Sequence, residues 1–290
     1  MTRHRPPRIG EGPLARRLLI GFVVALAAIL IFAPLAVIFA QAFSMGIGYF
    51  GATIAATETR HAILLTVVTA LIAVPLNTIF GLAAAWAVTK FDFPGRRLLI
   101  VLIEIPFSIS PIVAGVAYLF VYGLQGLFGP TLQSADIRIL FALPGIVLAS
   151  MFVTAPFVAR ELIPLMQAQG RDLEEAATSL GASGWRTFVK VTLPNIRWAL
   201  LYGVILCNAR VMGEFGAVSI VSGNIRGQTN TLPLQIELLY NDYNTVGAFA
   251  AASILTLLAL VTLAAKVWLE GHGAGRAQRD TGTEPEKAAR

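Results

Sequence analysis

The chain has 290 residues, 56% of them hydrophobic and only 13% charged, with a mean hydropathy of +0.73. A soluble domain carries about 25% charged residues, so this composition excludes an ordinary soluble fold and points to an integral membrane protein. The net charge of +6 does not point to nucleic acid, because the basic residues punctuate the apolar runs instead of gathering on one element.

A bilayer core about 30 Å thick needs about 20 mostly apolar residues as a helix. Six stretches qualify: 17–41, 61–89, 98–122, 138–163, 197–221 and 246–269. The first follows a basic tail, 1–16, and Ala40-Gln41-Ala42 imitates a cleavage site. Its apolar run from Leu18 to Ala40 is longer than a signal-peptide core of about 7–15 residues, so it reads as a retained anchor. With both termini cytoplasmic, seventeen of the 22 Lys and Arg residues lie inside and only Arg60, Arg138 and Arg226 lie outside. Arg160 and Arg210 fall within spans. This bias supports an even number of crossings. The polar stretch 270–290 reads as a disordered cytoplasmic tail.

Span three opens with EIPFSISPIVAG, residues 104–115. Pro106 and Pro111 remove backbone donors and interrupt helical pairing. Two readings follow. The segment is a kinked packing helix, or Ser108, Ser110 and freed N–H groups meet a passing oxyanion with the weak coordination a conduit needs.

The loop 166–197 falls on the cytoplasmic side and carries DLEEAATSLGASGWRTFVKVTLP. Asp172 and Glu175 have capping-box spacing, and Leu173, Ala176, Ala177 and Leu180 form one narrow apolar face. Gly181 suits a left-handed helix end, and Ser183 suits the cap of a second helix bearing Trp185, Phe188 and Val189. Leu193-Pro194 is expected to end the pattern before span five. The result is two short amphipathic helices joined at a glycine. They lie on lipid headgroups, pack on their own bundle, or dock a cytoplasmic partner; the spacing does not choose.

Span five places Arg210 and Glu214 four residues apart on one face. An ion pair that fixes packing is one reading. A pathway lining, with Arg210 attracting an anion and Glu214 holding Arg210 in position, is the other. The single cysteine, Cys207, lies in the same span and allows no internal disulfide. There is no P-loop motif, no Ser–His–carboxylate arrangement, and His4, His61 and His272 are scattered. The chain is therefore expected to be no enzyme and to hold neither metal nor cofactor itself.

Glu175-Ala176-Ala177, then three residues, Gly181, nine residues, Val191, Thr192 and Leu193-Pro194 resemble the EAA loop of ABC importer permeases, with Val191 where the pattern has isoleucine. GEFGAVSIVSG, 213–223, resembles the sulfate and molybdate branch of that family. PFSISPIVAG, 106–115, and GNIRGQTNTLPLQIELLYNDYN, 223–244, are similar to its W-type sulfate/thiosulfate subunits. The resemblance implies an all-α membrane protein of six transmembrane helices in the type I importer (MetI-like) fold, residues 17–269, in the bacterial inner membrane. It implies that Glu175, Ala176, Ala177, Gly181, Phe188, Leu193 and Pro194 couple the chain to an ATP-binding subunit present in two copies, which holds ATP-Mg. It also implies a sister permease as heterodimer partner, membrane lipid around both, and a periplasmic sulfate/thiosulfate-binding protein. Asn224, Arg226 and Gln235 lie in the outward loop where that protein is expected to dock, and Ser108, Ser110, Arg210 and Glu214 are the expected pathway residues. The implied activity is sulfate/thiosulfate import by alternating access. Molybdate or tungstate import is the neighbouring alternative, and a secondary anion transporter or channel the more distant one.

Overall fold

The computed structural model describes residues 13–280, and among these there is no strand. The chain begins with α1 (Pro13–Ala42), a short α2 (Gly46–Ala55), and α3 (Thr57–Lys90). Then come α4 (Arg96–Ser108), α5 (Pro111–Tyr122), α6 (Gly129–Ser134) and α7 (Leu143–Gln169). Two short helices, α8 (Asp172–Ser179) and α9 (Gly184–Thr187), precede α10 (Leu193–Met212), α11 (Gly216–Ser222), α12 (Leu232–Asn241) and α13 (Thr245–Asp280).

The core is the contact of α3, α7 and α10. In lipid, helices gain nothing from leaving an apolar solvent, so close backbone approach and polar contacts must hold them together. Gly81 of α3 lies directly against Val158 and Ala159 of α7; an added Cβ would stand 2.7 Å from the Val158 Cβ and 2.9 Å from the Ala159 nitrogen. Gly203 of α10 also packs on Val158: a Cβ added there would stand 3.2 Å from the Val158 Cα. Asn77, fully buried, donates through Nδ2 to Thr154 Oγ1 at 2.7 Å and to the Met151 carbonyl at 3.1 Å. Cys207 is buried beside this network and its Sγ lies 3.9 Å from Nδ2. At the far end, Thr66 of α3 accepts from the Leu232 N–H at 2.7 Å, which ties α12 into the same core.

Five helices are individually long and apolar enough to cross a membrane, and a sixth crossing exists if α4 and α5 count as one bent span. Those two helices meet at 109°. The expected break falls at Ile109–Ser110, the residues ahead of Pro111, while Pro106 remains inside α4. Proline disfavours helical φ/ψ in the residue before it, so the chain turns there. The span expected at 197–221 is also corrected: α10 ends at Met212, and 216–222 is a separate helix. Span four starts late, at Leu143, because Phe141 holds φ at +56° and Pro144 suits a first helical turn. Helix α13 continues to Asp280, so the tail expected from 270 begins as helix, and 281–290 lie outside the described residues. The basic tail 1–16 lies outside them up to residue 12.

A Gly81→Ala variant should lose about 1–3 kcal/mol through overpacking of α3 on α7. Gly21→Ala, where the added methyl meets nothing within 4 Å, should not. Thermal midpoints of both proteins in detergent check the contrast.

Candidate functional site

The segment between α7 and α10 is built from the chain's few strong local signals. Helix α8 begins at Asp172 itself, with Arg171 as its cap residue, so the expected capping box does not form. Asp172, Glu174 and Glu175 instead occupy the first turn, where carboxylates oppose the positive end of the helix dipole. The helix closes as expected at Gly181, φ +85°, with Ala182 N–H bonded to the Ala177 carbonyl and Gly181 N–H to that of Thr178. The Ser183 hydroxyl then accepts from the Arg186 N–H at 3.4 Å to start α9.

The Leu193-Pro194 stop does not occur. Residues 188–192 form one π-helical turn, in which Leu193 N–H bonds to the Phe188 carbonyl five residues back. That wider turn spares Pro194 the collision with the carbonyl four residues earlier that a straight α-helix would impose. The outcome is one apolar helical run from Gly184 to Met212.

One face of this segment binds its own bundle. Glu174, which sequence reasoning passed over in favour of Glu175, pairs with Lys90 at the end of α3, Nζ to Oε1 2.9 Å. Thr192 donates to the same carboxylate at 3.1 Å, and Lys90 also donates to the Gly170 carbonyl at 2.6 Å. Arg171 reaches Asp92 at 3.4 Å, and Asp92 also pairs with Arg96. Burial alone would raise the Glu174 pKa; the Lys90 hydrogen bond and charge, with Thr192, outweigh it and hold the carboxyl below its ordinary value. Phe188 is buried between Trp86 and Trp185, ring centroids 4.8 and 5.7 Å away, and serves as an internal anchor. The only advance signal of this brace was topological: Lys90 and Asp172–Thr192 fall on one side in the charge count.

The other face is uncovered. Glu175, Ala176, Gly181 and Pro194 are exposed, while Ala177 and Leu193 are half-buried. Leu180 is 89% exposed and Trp185 72%, with Leu173 beside them. An apolar patch rimmed by acidic and basic groups suits a protein partner.

The expected pathway residues gather at two helix breaks. Gly216, at the start of α11, lies against Pro111 at the α4–α5 bend; a Cβ added there would stand 3.0 Å from the Pro111 Cβ. Gly115 of α5 approaches the Ala217 carbonyl equally closely. Ser108 and Ser110 are exposed at the bend. Arg210 and Glu214 pair at 2.6 Å, without the alignment of a hydrogen bond at that oxygen. The other Glu214 oxygen accepts the Ala217 N–H at 3.0 Å and so caps α11. Glu214 is buried and Arg210 one-third exposed. The pair thus fixes the break between α10 and α11, and Arg210 has its charge already engaged.

In the loop before α12, Asn224 (φ +52°) and Arg226 are exposed, and Arg226 pairs with Asp242 at 2.8 Å. Gln235, expected in the same loop, lies in α12, is 1% exposed and accepts from Asn230 Nδ2 at 3.5 Å.

Residues 77–272 match the family model of the binding-protein-dependent transport system inner membrane component. The chain is 56% identical over 252 residues to the sulfate transport system permease protein CysW of Escherichia coli strain K12, covering 87% of each. It superposes with a TM-score of 0.72 on a bacterial ABC transporter that imports the acidic polysaccharide alginate, at 16% identity, covering 91% of this chain and 95% of that one. A bacterial alginate ABC transporter in complex with an alginate pentasaccharide-bound periplasmic protein gives 0.69 at 16% identity, covering 88% of this chain and 92% of that one.

Two outcomes test the geometry. Because the Glu174 pKa is lowered on folding, its contribution is present above pH 4.5 and is lost as pH falls through the lowered value. Glu174→Gln should therefore cost about 1 kcal/mol near neutral pH, and thermal midpoints of variant and wild type should converge on acidification. Arg210→Gln strands a buried carboxylate and should cost about 3 kcal/mol, the low end for a broken buried pair because Arg210 is one-third exposed; a double-mutant cycle should show R210Q/E214Q recovering most of that loss.

Proposed function

Since the chain belongs to the family of binding-protein-dependent transport system inner membrane components, we propose that it is the membrane-spanning permease subunit of an ATP-driven sulfate/thiosulfate importer. The observation that carries the mechanism is the helical run from Gly184 to Met212. At 1.5 Å per residue its 29 residues reach about 43 Å, from the uncovered patch around Trp185 to the Arg210–Glu214 break. A push at one end is thereby delivered at the other.

In this reading the exposed surface of Glu175, Ala176, Gly181 and Pro194 seats a separate ATP-binding subunit, which holds ATP-Mg. Phe188 and Glu174 fasten the seat to α3, so that movement of the partner moves the bundle. Both termini and the loop 166–197 face the cytoplasm, as the lysine and arginine distribution favours. The α4–α5 bend and the α10–α11 break form the gate region. They belong to different helices, meet at Gly216 and Pro111, and can shift against each other without unravelling a continuous helix. Six crossings, with α4–α5 as one, form this subunit, and a sister permease completes the path. A periplasmic sulfate/thiosulfate-binding protein delivers cargo at the face bearing Asn224 and Arg226. Alternating access follows when ATP-driven closure of the partner subunits swings the seat and hydrolysis resets it.

Labelled sulfate uptake should vanish in a strain lacking this chain and return with it, and thiosulfate should compete more strongly than molybdate. The opposite order of competition would move the cargo to molybdate or tungstate. For the seat, Gly181→Val forces a β-branched residue to positive φ, at a cost of about 1–3 kcal/mol. It and Glu175→Arg should reduce copurification of the ATP-binding subunit without loss of membrane insertion. Unchanged copurification in both would remove the coupling assignment.

A further inference from the structure

Two arginines lie at membrane depth, and the structure treats them differently. Arg210 is neutralised by Glu214 at 2.6 Å. Arg160 of α7 takes part in none of the ion pairs or side-chain hydrogen bonds among the described residues. Its guanidinium lies 4.9 Å from the centre of the Phe107 ring, in a cleft of about 80 Å³ between α4 and α7. Ile100, Glu104, Phe107, Pro156 and Pro164 share that cleft. Arg160 stands nine residues from the end of α7, and Glu104 eight from the start of α4. Measured along the helix axes from those ends, the two positions lie about 14 and 12 Å in, and both fall within the expected spans. An arginine there is expensive unless it meets water or a counter-charge, and it marks a functional position by default.

The backbone beside the cleft is also irregular. Pro164 has no N–H to offer the Arg160 carbonyl, and Pro156 none for that of Phe152, so two acceptors at this depth lack their helical donors. Such backbone is tolerated where it faces protein or an aqueous cavity. Glu104, Phe107 and Ser108 follow at i, i+3 and i+4 on one face of α4, so the exposed Ser108 hydroxyl continues the polar side of the cleft toward the bend.

We propose that Arg160, in the α4–α7 cleft, is the cationic contact for a tetrahedral oxyanion on its way through the permease, between the α4–α5 bend and the end of the bundle that bears α8. The assignment rests on the proposed import of such an anion. The negative face of the Phe107 ring attracts the guanidinium and holds it in place while no anion is present. Glu104, on the facing helix, competes for the same guanidinium and keeps the anion's stay short, which a conduit requires.

The test uses the assembled complex in proteoliposomes, with its sister permease, its ATP-binding subunits and the periplasmic sulfate-binding protein, and reads labelled sulfate uptake beside ATP hydrolysis. Arg160→Gln should lower uptake at least tenfold while hydrolysis stimulated by the binding protein persists, and Arg160→Lys should restore a large part of it. Uptake within twofold of wild type in R160Q, or R160K as inactive as R160Q, would overturn the assignment. So would parallel loss of uptake, hydrolysis and the sister subunit, which would make Arg160 an assembly residue. Failure of the wild-type complex to take up sulfate would overturn the importer reading, and this assignment with it.

Discussion

Close approach of α3, α7 and α10 is the constraint on which everything else in the molecule hangs. Lipid supplies no hydrophobic force between helices, so contact must come from shape and from polar groups that have no alternative partner. Gly81 and Gly203 let the backbones of α3 and α10 both close on Val158 of α7. Asn77 then spans the gap to Thr154 and the Met151 carbonyl. Because α3 and α7 are locked along their length, their ends arrive together, and Lys90 reaches Gly170 and Glu174. The seat of α8 and α9 is therefore a consequence of packing deep in the bundle.

The helix interruptions carry the opposite property. Each occurs where the backbone loses a donor or gains a glycine: before Pro111, at Gly213, and at the π turn ahead of Pro194. The first two separate rigid pieces, which then touch each other at Gly216 and Pro111. The third does not separate anything, since the wide turn accommodates the proline and keeps the run to Met212 continuous. The proposed transmission of motion and opening of a path would use both kinds of irregularity. Charge follows the same division: Glu214 is spent on capping α11 and binding Arg210, whereas Arg160 keeps its guanidinium available.

Much of this was legible beforehand. Apolar length located most of the spans, and glycine at 181 and serine at 183 located the helix junction. Three things were not legible. Glu174 and Glu175 are adjacent and chemically alike, and only the position of Lys90 decides which one faces inward. Pro194 reads as a stop, yet a π turn is a backbone option that composition does not announce. Gln235 reads as a polar loop residue, but the fold buries it below Asn230.

The sequence by itself determined that the chain spans a membrane, which residues lie at helix junctions, and which family pattern the loop carries. These depend on local apolar length, turn chemistry and spacing, all of which act within about twenty residues. Tertiary structure alone decided that Arg160 faces Phe107 without an ion-pair partner, that the two helix breaks meet, and that one acidic residue of the loop is fastened to α3. Each of these is a relation between helices, set by where Gly81 and Gly203 allow them to approach.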